Sequence, residues 1–462
     1  MSAKVCILGL DCAAPELVFG RFRDDLPNLR RIMEKGAWGR LLSTNPPITV
    51  PAWACMMTSR DPGQLGIYGF RNRKDHSYVG YSIANAAAVR QEAAWDHIGR
   101  AGGNVIVLGV PPSYPPKPVN GVQVGCFLTP TTRRPYTHPP ELKEEIDRIV
   151  AGYVVDVEDF RTDDKDGVLK RIYDKSTRHF ALAKHLLRTR PWDFFMMVEM
   201  GTDRIHHAFW AHMDQASPKH EPGNRFENAI REFYRYCDRE VGEIVSLLPR
   251  DTALVVVSDH GARSLQGGIC FNEWLIDNGY LTLVDYPSKP TPINQCAIDW
   301  SRTKAWGDGG YYGRLFMNVK GREPQGCVEP ADYEKVRDEL VRGIESIADP
   351  SGKNIGSRAY KPADIYREVR NVAPDLMVYF GNLDWRSIGT VGTRALHTFE
   401  NDTGPDDANH DWHGIFMMKT PHGTPQPRGE QQGLRLYDVG PTALRLAGLQ
   451  PPEEMIGRSL VS

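Results

Sequence analysis

Three aspartates and three histidines in this 462-residue chain fall where short apolar runs end. Asp11 follows the run Val5 to Leu10. Asp203 and His207 follow Trp192 to Met200, and their spacing of four would project both from one face of a helix. Asp259 and His260 follow Thr252 to Ser258 and precede Gly261. His410 lies four residues before the run that begins at Gly414, with His397 and His413 as alternatives. In an open parallel sheet, ligands bind beyond the carboxyl ends of the strands. Carboxylates and imidazoles gathered there could hold two divalent metals. Each residue taken alone has an ordinary explanation: aspartates after strands form turns or cap helices, and an Asp/His pair four apart decorates an exposed helix. Their coincidence at successive strand ends is what points to a metal centre. A nucleophile candidate is Thr49, in Pro46-Pro47-Ile48-Thr49-Val50-Pro51. Pro51 suits a first helical turn, which places Thr49 at a helix N-terminus where free N–H groups favour an anion such as phosphate. A metal on the threonine oxygen would activate it, although a plain cap residue produces much the same spacing.

The elements that must position these residues alternate between apolar runs and helical patterns, which predicts an α/β fold: a central, mostly parallel sheet with helices on both faces. Strands are expected at Val5 to Leu10, Asn104 to Val110, Trp192 to Met200, Thr252 to Ser258, Asp375 to Phe380 and Gly414 to Met418. Phe226, Ile230, Phe233, Cys237, Val241, Ile244 and Leu248 form an apolar stripe at the helical period, so a helix is expected over Asn224 to Leu248. Tyr437 to Ala447 supplies a last helix, stopped by Gly448 and Pro451. Residues 262–400 differ in texture, being rich in Gly, Pro, Trp and Tyr with one helical patch at Ala331 to Ile347. They are expected to form an inserted cap between a first core part, 1–261, and a last, 401–462. Trp300, Lys304, Trp306 and Tyr311 in that segment are candidates for choosing the substrate by stacking or pairing.

Composition narrows the partners. Lys plus Arg number 56 against 58 Asp plus Glu, a formal net charge of −2, which gives no support for a basic field aimed at nucleic acid or anionic lipid. With 41% apolar and 25% charged residues the chain is an ordinary globular one. No secretory leader is visible, and no apolar run is long enough to span a bilayer. The eight cysteines are scattered without a CxxC pair, so a reduced, cytoplasmic protein is expected.

The segment PPITVPAWACMMTSRDPGQLGIYGF resembles the nucleophile segment of the alkaline phosphatase superfamily, in its branch of type I phosphodiesterases and nucleotide pyrophosphatases. Within that branch the chain looks most like the predicted phosphohydrolase/phosphomutase group. GLDCAAPEL, GTDRIHHAFW, VVVSDHGAR, NVKGREPQG, NHDWHGIF and DVGPTALRLAGLQPPEEMIGRSL carry the likeness in the family's order, over nearly the whole chain. The resemblance implies an alkaline-phosphatase-like α/β sandwich and a metal-dependent hydrolase of small phosphate esters, working through a phospho-threonine intermediate on Thr49. It implies one metal on Asp203, His207 and His410, choosing these histidines over His206 and His413, and a second on Asp11, Asp259 and His260 with Thr49 beside it. Zinc is the expected metal, since three imidazoles suit it better than magnesium, with manganese as the alternative. Nucleotide pyrophosphatases place a phosphate-binding Asn where this chain has Phe70, and Arg71 or Asn72 is expected to substitute. A phosphomutase, or a phosphoryl or sulfuryl transferase of the same superfamily, is the alternative activity. Sulfatases carry a modified cysteine at the nucleophile position, and Cys55 lies nearly two helical turns beyond Thr49.

Overall fold

The computed structural model describes residues 3–421 and 426–461. Among the described residues up to Val257, the main sheet takes seven strands: β1 (Lys4–Leu10), β2 (Ala37–Leu42), β3 (Val105–Leu108), β4 (Gly121–Val124), β5 (Thr137–His138), β6 (Phe194–Glu199) and β7 (Thr252–Val257), with a separate hairpin of Arg71–Arg73 and Tyr81–Ile83 between β2 and β3. The chain then forms β8 (Gly261–Ser264) and a four-stranded antiparallel sheet in the order β9 (Ala305–Asp308), β10 (Gly313–Met317), β12 (Leu376–Tyr379), β11 (Arg358–Tyr360). It returns through β13 (Ala408–Asp411), which pairs antiparallel with β8, and re-enters the main sheet as β14 (His413–Lys419). The main sheet runs β2-β14-β7-β1-β6-β3-β4-β5, with the short strands Gly429–Glu430 and Leu434–Arg435 alongside β2. The central strands β7, β1, β6, β3 and β4 are parallel to one another, whereas β14 is antiparallel to both β7 and β2, and β5 is antiparallel to β4.

Strands buried on both faces need helices above and below. Cys6, Leu8 and Leu10 of β1 face one apolar cluster, shared with α2 (Lys165–Thr189), α3 (Gly201–Met213) and α4 (Ala229–Leu247). Val5 and Ile7 face the other, shared with α1 (Thr49–Thr58) and the helix Val439–Leu446. A third cluster, built on Phe271, Trp306, Leu315, Leu340 and Val378, lies wholly within the segment between β7 and β13. Gly9 permits one close approach: a Cβ there would stand 2.6 Å from the Trp53 ring and 2.8 Å from Val198.

Two expected elements sit elsewhere than the sequence suggested. The strand expected over Asp375 to Phe380 is β12, and it pairs with β10 and β11 rather than with the main sheet. Its Leu376 and Val378 turn into the third apolar cluster. The helix expected from Asn224 starts at Ala229, because the Asn224 side chain accepts from the Phe226 amide and donates to the His212 carbonyl, closing a turn instead. None of the helices among the described residues is long and apolar enough to cross a membrane.

Candidate active site

The carboxyl ends of β1, β6 and β7 lie side by side, and the residues that follow them meet. Parallel pairing sets Leu10 against Glu199 and Gly9 against Val257, so Asp11, the start of α3 and Asp259 emerge on one edge. The side chain of Thr202 donates to the Asp11 carbonyl at 2.6 Å, stitching α3 to the end of β1. One helical turn then carries Asp203 and His207 on the same face. His410 arrives on β13, held against β8 beside Ala262. Thr49 is the first residue of α1, which starts two residues earlier than Pro51 alone suggested, with Ile48 as the N-cap.

Asp203 Oδ1 lies 3.2 Å from His207 Nε2 and 3.6 Å from His410 Nε2, and the two imidazole nitrogens are 3.3 Å apart. Next to them, His260 Nε2 lies 3.1 Å from Asp259 Oδ2, 3.8 Å from Asp11 Oδ1 and 3.2 Å from Thr49 Oγ1. The His260 and His410 rings stack at 3.8 Å, joining both groups into one centre. All seven side chains are buried, none more than 3% exposed. Ligand atoms of Asp203, His260 and His410, and of Asp11, Asp259 and His260, are close enough together for each set to hold an ion.

The bonds made on the far side of each group decide what faces inward. Asp11 Oδ2 accepts from Trp53 Nε1 at 2.6 Å, Asp259 Oδ1 from the Cys12 amide at 3.1 Å, and Asp203 Oδ2 from Arg204. Asp11 Oδ1 and Asp259 Oδ2 are buried with no hydrogen-bond donor. His260 Nδ1 lies 3.0 Å from the Gly261 carbonyl and His410 Nδ1 2.9 Å from the Pro47 carbonyl. A carbonyl only accepts, so each Nδ1 carries the proton and each neutral ring turns its Nε2 lone pair into the centre. Burial keeps both rings neutral, lowering His260 to about 4 and His410 well below the usual histidine range. Burial, and then a neighbouring carboxylate, raise Asp11 and Asp259 well above theirs. Asp203 is held low against its burial by His207 and Arg204, and without a cation His207 is pushed up against its burial, above all by Asp406, so its Nε2 would ligate only as a bound cation displaces that proton. Lone pairs and carboxylate oxygens packed this closely repel one another unless a cation lies between them. The donor set therefore fits divalent-cation binding.

Not every expected residue reaches this centre. His206 points away to the Tyr234 hydroxyl, and His397 bonds the Ala348 carbonyl far along the chain. The Asn72 side chain is engaged in a local turn, accepting from the Tyr68 amide at 2.7 Å and donating to the Gly69 carbonyl at 2.8 Å. Phe70 packs edge-on against Phe127. Arg71 is exposed and lines a cavity of about 470 Å³ together with Tyr78, Trp300 and Trp306. There Trp300 stacks flat on Tyr78 at 3.7 Å and Trp306 meets both edge-on, while Lys304 is exposed and absent from the lining. Tyr311 alone of the four touches the centre, its ring 4.3 Å from that of His410 and 4.9 Å from that of His207.

Sequence reasoning missed the supporting residues Trp53, Asp156, Arg161, Arg204 and Asp406. Arg204 bonds Asp156 through two nitrogens, at 2.8 and 2.7 Å, and lies over the rings of Phe127 and Phe160 while it holds Asp203. Trp53→Phe is expected to leave Asp11 with a second unpartnered buried oxygen. The cost should be about 1–3 kcal/mol in the metal-free protein and smaller with metal bound. Thermal unfolding with and without added zinc measures the difference.

Solved structures share this α/β fold along nearly its whole length. Human ectonucleotide pyrophosphatase/phosphodiesterase 5 aligns over 97% of this chain and 96% of its own, at TM-score 0.56 and 13% identity. The murine protein of that name, as an inactive threonine-to-alanine variant in complex with AMP, aligns over 97% and 96% at TM-score 0.55 and 14% identity. Phosphonoacetate hydrolase from Sinorhizobium meliloti 1021, in complex with phosphonoformate, aligns over 96% of both chains at TM-score 0.61 and 15% identity. The fold is thus alkaline-phosphatase-like. No curated protein matches the sequence. The profile of the type I phosphodiesterase/nucleotide pyrophosphatase family matches residues 5–413, and the chain belongs to that family of phosphoester hydrolases.

Proposed function

We propose that this enzyme hydrolyses small phosphate esters, mono- or diesters, at two divalent cations, zinc or else manganese. Asp203, His207 and His410 would hold one cation; Asp11, Asp259 and His260 would hold the other, with Thr49 beside it. The observation that carries this reading is the inward convergence of two imidazole lone pairs and two donor-less carboxylate oxygens around Thr49 Oγ1. Bound cations would act as Lewis acids toward the phosphoryl oxygens and the threonine hydroxyl. Thr49 stands at the first turn of α1, where its own amide and that of Val50 have no intrahelical acceptor and favour an anion. Its hydroxyl points at His260 Nε2, away from solvent. Attack by Oγ1 forms the O–P bond as the ester oxygen leaves, and water then cleaves the phospho-threonine. The AMP and phosphonoformate complexes of the structural relatives support a small phosphorylated ligand. Residues 262–400 act as the cap that chooses it. The unpaired cysteines suit a reducing, cytoplasmic setting.

The test is metal content together with rates on p-nitrophenyl phosphate and bis-p-nitrophenyl phosphate. Two cations per chain are expected, with hydrolysis of at least one ester lost on chelation and restored by zinc or manganese. Full activity in metal-free protein would refute the reading. Asp259→Asn and His260→Ala are each expected to lower the bound metal from two equivalents to one, measured by elemental analysis after dialysis.

A further inference from the structure

The two halves of the centre are supported by different parts of the chain. Around Asp11, Asp259 and His260 the outer bonds come from Trp53, the Cys12 amide and the Gly261 carbonyl, on elements that flank the main sheet. Around His207 they come from elsewhere. His207 Nδ1 lies 2.8 Å from Asp406 Oδ1. The other oxygen of Asp406 accepts from Arg386 Nη1 at 3.0 Å, from the Tyr311 hydroxyl at 3.1 Å and from Arg161 Nε at 2.8 Å. Arg386 lies over the Tyr311 ring, and Tyr311 stacks on His207 and His410. Asp406 and Arg386 are buried, and the Asp407 amide closes the group by donating to the His207 carbonyl at 2.9 Å. One carboxylate thus joins α3, the strand carrying His410 and two residues of the inserted segment.

A histidine that ligates a metal through Nε2 depends on the partner of its Nδ1–H for ring orientation and basicity. We propose that Asp406 is the positioning residue for His207, and that Arg386 through it, and Tyr311 both through it and directly at His207 Nδ1 (3.3 Å), make the Asp203/His207/His410 cation site, alone of the two, dependent on the inserted segment. This rests on the two-cation reading above. An ester bound under the inserted segment would therefore meet one cation supported by the core alone and one whose ligand His207 is buttressed, through Asp406, by residues of that segment. Selection of substrate and retention of the second cation are then linked through Tyr311.

Zinc titration of the full-length protein against a chromophoric chelator tests this. In Asp406→Asn one of the two zinc equivalents should bind 10- to 100-fold more weakly and the other unchanged. Tyr311→Phe removes one oxygen, keeps the stacked ring, and should weaken the same equivalent by a smaller factor. His207→Ala should abolish that equivalent, and adding Asp406→Asn to it should do nothing more, because Asp406 acts only through His207. A merely structural role would weaken both equivalents together, and that result, or wild-type affinities in Asp406→Asn, would overturn the proposal while leaving the two-cation reading intact. Wild-type protein that binds no zinc would overturn both. Should Asp406→Asn fail to fold, the Tyr311→Phe titration is decided by the same criterion.

Discussion

Thr49→Ala is expected to lower turnover of every phosphate ester by roughly 10⁴-fold or more while leaving two cations bound, because a group acting as nucleophile is not replaced by its neighbours. The fold should tolerate the change. Thr49 is buried at the start of a helix whose N-cap is Ile48, so its hydroxyl satisfies no helical amide, and its one side-chain bond is to His260 Nε2. That nitrogen also faces Asp259 and Asp11, which hold it in place without the hydroxyl. Acid quenching during turnover should trap phosphate on the wild-type chain at Thr49 and none on the variant. Two in-line displacements also give net retention at a chiral phosphorus. Inversion, or a fully active Thr49→Ala enzyme with both metals in place, would mean that water attacks the ester directly.

The metal-centre candidates were legible because each is announced by the element before it. Asp11 ends the apolar run of β1, Asp259 and His260 end β7, and the spacing of Asp203 and His207 is one helical turn. His410 was legible only through the family likeness, since His413 lies nearer the same strand, as its first residue. The supporting groups left no such mark. Asp406 meets His207 from 199 residues away, and nothing in the local string Gly404-Pro405-Asp406-Asp407 separates it from a surface turn. Arg204 reads as one more charge on a helix, yet it fills the space between two phenylalanines. The 25-residue helix α2 escaped for a related reason. Lys175, Ser176 and His179 stand on its buried face and break the apolar period that marked α4. β12 was found as a strand but assigned to the wrong sheet, because an apolar run carries no record of which strand it pairs with.

Those buried polar residues of α2 carry the second large effect. Lys175 Nζ donates to Glu199 Oε1 at 3.0 Å, and the same oxygen accepts from Ser176 Oγ at 2.7 Å and from the Gly201 amide at 2.6 Å. Both side chains are essentially inaccessible, and Glu199 Oε2 has no donor. Glu199 ends β6 and its carbonyl accepts from the Asp11 amide at 3.0 Å, while Gly201 opens the helix that carries Asp203 and His207. The pair therefore anchors the point where three of the proposed ligands leave the sheet. Lys175→Met would leave the Glu199 charge buried with only neutral donors, and is expected to cost about 3–5 kcal/mol. Glu199→Gln keeps an acceptor for Ser176 and Gly201 but strands the ammonium, and should cost a similar amount. Combining the two removes both charges and retains the amide oxygen, so the double variant should be more stable than either single one. Denaturant midpoints of the four proteins, taken metal-free, measure this. Costs that simply add would show that Lys175 and Glu199 act independently. If they are coupled as expected, Glu199→Gln should also weaken zinc binding, and Lys175→Met added to it should recover part of that loss, because the ligands at the head of α3 inherit their position from this bond.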